Sequence, residues 1–266
     1  MRKRSIILTL AVTVIVLAAC GEGGGEVAAV ATVAPAPGTS APATTAQTAT
    51  TTTTTLVPLE TAAPLGPPPT GYAEFRAQPT ACGAAAPAAA TPQEYTAPDD
   101  LSLDPTVKLV ATITTSCGPI VIELDPGQAP QTVNSFVFLA RDGYFDGTVS
   151  HRIIPGFVIQ AGDPTATGFG GPGYVVPDEL PPEGFAYSTG VVAMANSGPD
   201  STGSQFFIMV GNSGLPPQYS AYGVVVDGFE TLNAIVSIPL GQNARGETSV
   251  PLETLYIESV TVAGLD

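Results

Sequence analysis

His151 and Arg152 stand side by side at the head of an apolar run, Ile153 to Ile159, that ends in Gln160. His151 is the single histidine of the chain. A Ser-His-Asp or Cys-His device would need it as the base. Nothing near Ser150 resembles a nucleophile elbow, and a lone histidine beside an arginine at a strand start is usually structural. A zinc site would have to combine His151 with Cys82, Cys117 and carboxylates at unrelated spacings, so no metal is expected. Gly168-x-Gly170-x-x-Gly173 matches the dinucleotide fingerprint, but Pro172 sits inside it, no helix follows and no βαβ unit surrounds it. A glycine-rich loop is the better reading. No Gly-Lys pair occurs, which removes a P-loop, and no organic cofactor is implied.

The elements that must carry these residues lie after Lys108, where the aromatic and β-branched residues gather. Val107–Thr114 and Ile120–Leu124 read as a hairpin joined by Thr115-Ser116-Cys117-Gly118-Pro119. Pro130 opens a helical pattern, Gln131 to Arg141, with Val133, Phe136, Val137 and Ala140 on one face, and Asp142-Gly143 ends it. Short apolar strands follow at Ile153–Ile159, Val191–Ala195, Phe206–Val210, Tyr222–Val226 and Leu255–Val262. Asp227 to Ile238 has the stripe of a second helix. Many short strands with two helices predict a mainly β domain, a closed or nearly closed barrel, over residues 106–266.

The first hundred residues differ in kind. Met1-Arg2-Lys3-Arg4 is a basic segment, and Ile6 to Ala19 is apolar but too short to span a bilayer comfortably. Residues 1–19 therefore read as a signal peptide. Leu17-Ala18-Ala19-Cys20 resembles the lipobox of bacterial lipoproteins, whose cysteine is lipidated; the alternative is a plain signal peptide with a chance cysteine. Cleavage before Cys20 would leave five basic residues against 23 acidic ones. Lipid rather than charge would then hold the protein to the membrane. Residues 20–70 hold Gly23-Gly24-Gly25, the Thr50–Thr55 run and Pro67-Pro68-Pro69, with no hydrophobic period, and read as a disordered tether. Residues 71–105 carry anchoring side chains (Tyr72, Phe75, Cys82, Tyr95) without regular periodicity, and read as an extended arm lying on the domain. With Cys20 taken by lipid, Cys82 and Cys117 form an even pair outside the cytoplasm; they could be bridged or stay two free thiols. The formal charge of −15 repels phosphates, so nucleic acid is not an expected partner.

Ser150-His151-Arg152-Ile153-Ile154-Pro155-Gly156-Phe157-Val158-Ile159-Gln160-Ala161-Gly162-Asp163 strongly resembles the cyclophilin signature. Met194-Ala195-Asn196-Ser197-Gly198-Pro199 and Gly203-Ser204-Gln205-Phe206-Phe207-Ile208 resemble that family's second and third blocks, in the expected order. The resemblance covers about residues 107 to 264. It implies an eight-stranded antiparallel β-barrel capped by two α-helices, and peptidyl-prolyl cis–trans isomerase activity. By motif, Arg152 is similar to the family's catalytic arginine. Phe157, Phe207 and Leu215 resemble walls of a proline pocket, with Val158 where a methionine is common. Gln160, Ala195, Asn196 and Gln205 resemble the residues that hold the peptide backbone. Two departures stand out: Gly214-Leu215 where the family often has Trp-Leu, and Tyr219 where a histidine usually closes the pocket.

Isomerisation of an Xaa-Pro bond is slow because amide resonance must be broken, and it needs no acid or nucleophile. An arginine can donate to the nitrogen lone pair that localises at the twisted transition state, or keep the carbonyl polarised. A thousandfold gain requires about 4 kcal/mol. One charge-assisted bond, roughly 1.5–3 kcal/mol, plus an apolar grip on the ring could supply most of it. The resemblance implies an isomerase acting on proline-containing polypeptides; with the lipobox-like start, the expectation is an extracytoplasmic, lipid-anchored monomer. The alternative is a module that binds proline segments with little turnover, and at Arg152 itself the plainer reading is an arginine that pairs with an acidic neighbour to steady its strand.

Overall fold

The computed structural model describes residues 66–264. The expected signal peptide, Cys20 and the tether up to residue 65 lie outside the described residues. Within them a strap, residues 66–108, holds one α-helix, α1 (Tyr72–Arg76), and a short 3₁₀ turn at Ala81–Gly83. Then follow β1 (Leu109–Thr115), β2 (Gly118–Leu124), α2 (Pro130–Arg141), β3 (Arg152–Ile154), β4 (Val158–Ala161), β5 (Val191–Met194) and β6 (Phe206–Met209). The chain continues through β7 (Ala221–Asp227), α3 (Phe229–Ile235), β8 (Leu240–Gln242), β9 (Thr248–Pro251) and β10 (Ile257–Ala263).

Eight strands form one antiparallel sheet in the order β10-β1-β2-β7-β5-β6-β4-β3. The sheet curls until the segment before β3 meets β10: Gly147 and Ser150 donate backbone N–H groups to Ile257 and Leu255, and Ile257 donates to Thr148. In β1 and β2 the burial alternates, with Leu109, Ala111, Ile113, Ile120, Ile122 and Leu124 turned inward. That is the period of a sheet with one face on a core. Pro130 at the first turn suits α2, since its missing N–H would have had no helical partner. The next two N–H groups donate to the Glu179 carboxylate, at 3.0 Å from Gln131 and 2.8 Å from Thr132. Phe136 of α2 packs edge-on against Phe206, and Phe145 does the same, inside the curl.

The run Ile153 to Ile159, expected as one strand, is two. Pro155 and Gly156 (φ 73°) turn the chain, so β3 folds back on β4 with Arg152 opposite Gln160 and Ile154 opposite Val158. The apolar pattern hides this turn because it runs through both short strands, and in β4 it covers both faces. The second expected helix is shorter than Asp227–Ile238, because Asp227 ends β7 and Gly228 (φ 90°) starts the turn into α3. A hairpin of β8 and β9 has no counterpart in the sequence reading.

The arm is more structured than an extended segment. Phe75 of α1 is buried with Val149, Ala166, Val250 and Tyr256, and Arg76 lies over the Tyr256 ring at 5.3 Å. Ala81 donates its N–H to Thr254 O. Cys82 is joined to Cys117 of the β1–β2 loop, with their Cα atoms 5.2 Å apart. Tyr95 packs on Phe138 and donates its N–H to Pro172 O at 2.8 Å, bracing the glycine-rich loop. At residues 69 and 70, expected within the tether, Pro69 is buried and the Thr70 N–H donates to Glu74.

Candidate active site

β4, β5 and β6 are buried on both faces. One face fills the barrel. The other carries Val158, Val191, Ala193, Phe207 and Met209 into a second apolar cluster, against which Phe157, Leu215 and Tyr219 pack while keeping part of their surface open. A cleft of about 170 Å³ lies over this cluster, lined by Arg152, Phe157, Val158, Gln160, Ala195, Asn196, Phe207, Leu215 and Tyr219. Nine of the ten residues expected at the site therefore share one cleft. The tenth, Gln205, lines a larger neighbouring groove of about 710 Å³ that also includes Gln160, Ala195 and Asn196.

The apolar side is built on aromatic edges. The Tyr219 ring meets Phe207 edge-on at 5.4 Å, and its backbone is held by Tyr187, whose hydroxyl donates to Tyr219 O at 2.6 Å and accepts the Tyr219 N–H at 3.1 Å. Leu215 closes the same side. At Gly214 a Cβ would meet nothing within 4 Å, so the position has room for a side chain to start.

The polar side is a relay of amides. Arg152 Nη1 donates to Gln160 Oε1 at 3.2 Å, Gln160 Nε2 donates to Gln205 Oε1 at 3.0 Å, and Gln205 Nε2 donates to Gly170 O at 2.9 Å. Asn196 Nδ2 donates to Gln218 O at 2.9 Å, tying the β5 end to the loop before Tyr219. Because Arg152 and Gln160 are directly opposed in register, the β3–β4 turn itself sets the first contact of this relay.

Two residues that hold the site escaped the sequence reading. Tyr187 lies in a stretch with no period to mark it. Glu247, at the head of β9, is 95 positions from Arg152 and grips it: Nε donates to Oε1 at 2.8 Å and Nη2 to Oε2 at 2.9 Å. The guanidinium holds the Glu247 carboxyl down at about 2. So Arg152 does pair with an acidic neighbour, and it faces the cleft as well.

His151 points away from the cleft. It is buried against the glycine-rich loop near Gly168, and burial pushes its imidazole down to about 4, with the nearby Asp163 carboxylate opposing the shift. Asp163 is in turn held ionised by Thr165 Oγ1 and by the N–H groups of Thr165, Thr167 and Gly168. His151 and the glycine-rich loop are thus structural partners.

An arginine donor across from an aromatic-walled cleft of this size suits a small ring beside a peptide carbonyl. The family model for cyclophilin type peptidyl-prolyl cis-trans isomerases matches residues 110–262. The chain belongs to the cyclophilin family. It is 42% identical over 174 residues to peptidyl-prolyl cis-trans isomerase B of Streptomyces anulatus, covering 58% of this chain and 97% of that one. To peptidyl-prolyl cis-trans isomerase A of Mycobacterium tuberculosis it is 38% identical over 181 residues, 62% of this chain and 98% of that one. The match to a peptidyl-prolyl cis-trans isomerase-like 2 protein of Cryptococcus neoformans, 44% identical over 162 residues, spans only 27% of that longer relative. A crystal structure of a Cryptosporidium parvum cyclophilin obtained in the presence of the dipeptide Ala-Pro superposes with a TM-score of 0.51 at 34% identity, covering 58% of this chain and 99% of that one. The cyclophilin domain accounts for the curled sheet and both of its helices; the strap with its disulfide lies outside the matched residues except at Cys117.

Proposed function

We propose that this cyclophilin isomerises Xaa-Pro bonds of exported polypeptides, working as a lipid-anchored monomer at the outer face of a bacterial cell membrane. The observation that carries the catalytic part is the placement of Arg152 and Gln160 on one side of the cleft and Phe157, Phe207, Leu215 and Tyr219 on the other. The prolyl ring would sit on the Phe207 floor, which excludes water from the amide nitrogen. Gln160 and Asn196 would hold the flanking backbone, with Ala195 and Val158 shaping the walls. A guanidinium cannot lose its proton, so Arg152 donates without joining any proton transfer. As the amide twists, the nitrogen lone pair localises and accepts this donation better than the planar amide does. The bond is therefore stronger in the transition state than in the ground state, which is what raises the rate. Nothing covalent forms.

The placement outside the cytoplasm rests on the sequence: the basic start, the apolar run to Ala19, and Cys20 in a lipobox-like context. A diacylated cysteine gives stable anchoring, and the tether would let the domain reach clients some tens of ångströms away. The second reading, a proline-binding module with little turnover, draws on Glu247, which occupies part of the arginine. Exchange NMR on an Ala-Pro peptide separates the two: the isomerase reading expects interconversion at least a hundredfold above the uncatalysed rate. Binding without acceleration would leave only the module. Fatty-acid labelling tests the anchor, and continued incorporation in Cys20→Ala would remove it.

A further inference from the structure

The Arg152–Glu247 pair is too exposed to be there for stability. The two side chains retain 30% and 38% of their accessible surface, and ion pairs so placed usually contribute little. The acid is nevertheless held firmly. Asn243 accepts the Glu247 N–H through Oδ1 at 3.0 Å and donates its own N–H to Glu247 O at 2.8 Å, so both backbone groups of Glu247 are pinned. Gly246 (φ 81°) makes the tight turn of the β8–β9 hairpin, and β9 packs against β3, which carries Arg152. Glu247 is not among the residues that line the cleft, and its carboxylate meets the Nε and Nη2 edge of the guanidinium.

A guanidinium carries five N–H groups in a fixed plane. Glu247 takes the Nε–H and one on Nη2, and Gln160 takes one on Nη1. One N–H on each terminal nitrogen is left. An arginine side chain with only Gln160 as a partner would sample many rotamers, whereas a side-on fork to a pinned carboxylate fixes both the plane and the direction of the remaining donors.

We infer that Glu247 is a positioning residue for the isomerase reaction: it orients the Arg152 guanidinium so that its two unpaired N–H groups face the prolyl amide in the cleft. This rests on the isomerase reading above and adds to it the residue that makes the donor effective. The β8–β9 hairpin thereby becomes part of the catalytic apparatus.

The test is a double-mutant cycle on the full chain, with kcat, KM and thermal unfolding measured for wild type, Glu247→Ala, Arg152→Ala and the double variant. A misdirected donor costs turnover more than binding, so Glu247→Ala should lower kcat by about tenfold with KM within about twofold. Glu247→Gln keeps one oxygen for the Nε–H and should recover part of the loss. In the Arg152→Ala background, removing Glu247 should change kcat by less than about twofold, because nothing is left to orient. The same loss in both backgrounds, for the Ala or the Gln variant, would mean that Glu247 acts through the fold and would overturn the inference. So would an unchanged or raised kcat in Glu247→Ala, which would mean the acid only damps the arginine's charge. A wild-type chain without turnover overturns the isomerase reading and this inference together; the other contrary outcomes overturn the inference alone.

Discussion

Phe206 and Phe207 are adjacent on β6 and almost equally buried, at 2% and 5% exposure, yet they belong to different parts of the molecule. Phe206 points into the curl and meets Phe136 and Phe145 edge-on. Phe207 points the other way, onto Tyr219 and the floor of the cleft. The strand is one chemical pattern serving two purposes, and only direction separates them. The molecule divides along this line: groups that hold the barrel together, and groups that face a bound peptide.

The division is broken most sharply from the inside. Phe206→Ala removes a ring from a filled interior and should cost about 3–5 kcal/mol in urea unfolding, while the rate per folded molecule holds. The strap falls on the same side of the line. Its disulfide closes a separation of 35 residues. Replacing Cys82 and Cys117 with serine should lower stability by about 3–4 kcal/mol in the chain-entropy model and leave kcat within about twofold. A loss of turnover in either case, measured on folded protein, would show that barrel and cleft are coupled.

Acid provides a third probe. His151 titrates near 4 when folded, against an ordinary 6.5. The unfolded chain therefore binds a proton that the folded chain refuses, and stability falls as pH drops from about 6.5 to about 4. The fall attributable to His151 should be about 2–3 kcal/mol, read as the difference in urea midpoint slope between wild type and His151→Gln. Glu247 stays ionised down to about 2, so its grip on Arg152 should persist and the rate per folded molecule should be flat over that window. The smallest stability effect is expected at the cleft itself. Phe207→Ala opens onto a pocket already in contact with solvent, so it should cost about 1–3 kcal/mol while weakening peptide binding severalfold or more.

The legible parts of this fold were those with a period. The β1–β2 alternation and the α2 stripe are strong local signals, and the signature residues around Arg152, Asn196 and Gln205 are ones that the fold brings to the cleft and the groove beside it. Pro155-Gly156 is a turn signal in plain view, but an unbroken apolar run around it reads as one strand. The five residues of α1 are too few to show a helical period. An even pair of cysteines suggested a bridge, and only the strap's path could bring Cys82 to Cys117. Glu247 was illegible for a deeper reason. Its role depends on a hairpin that folds β9 against β3, and nothing in a segment of alternating small and polar residues announces where its one carboxylate will point.

The central claim is that Arg152 acts on the bound peptide and does not merely steady β3. Arg152→Ala leaves Phe157, Phe207 and Leu215 in place, and the carboxylate it frees at Glu247 is exposed enough to be solvated at little cost. Turnover and thermal unfolding measured on the same preparation of this variant decide the matter. The account predicts a folded protein whose peptide binding weakens modestly and whose kcat falls by about 10²–10³, or 3–4 kcal/mol of lost transition-state stabilisation. Arg152→Lys should regain only part of this, since an ammonium lacks the planar fork. An Ala variant that loses stability yet keeps its rate per folded molecule would contradict the account.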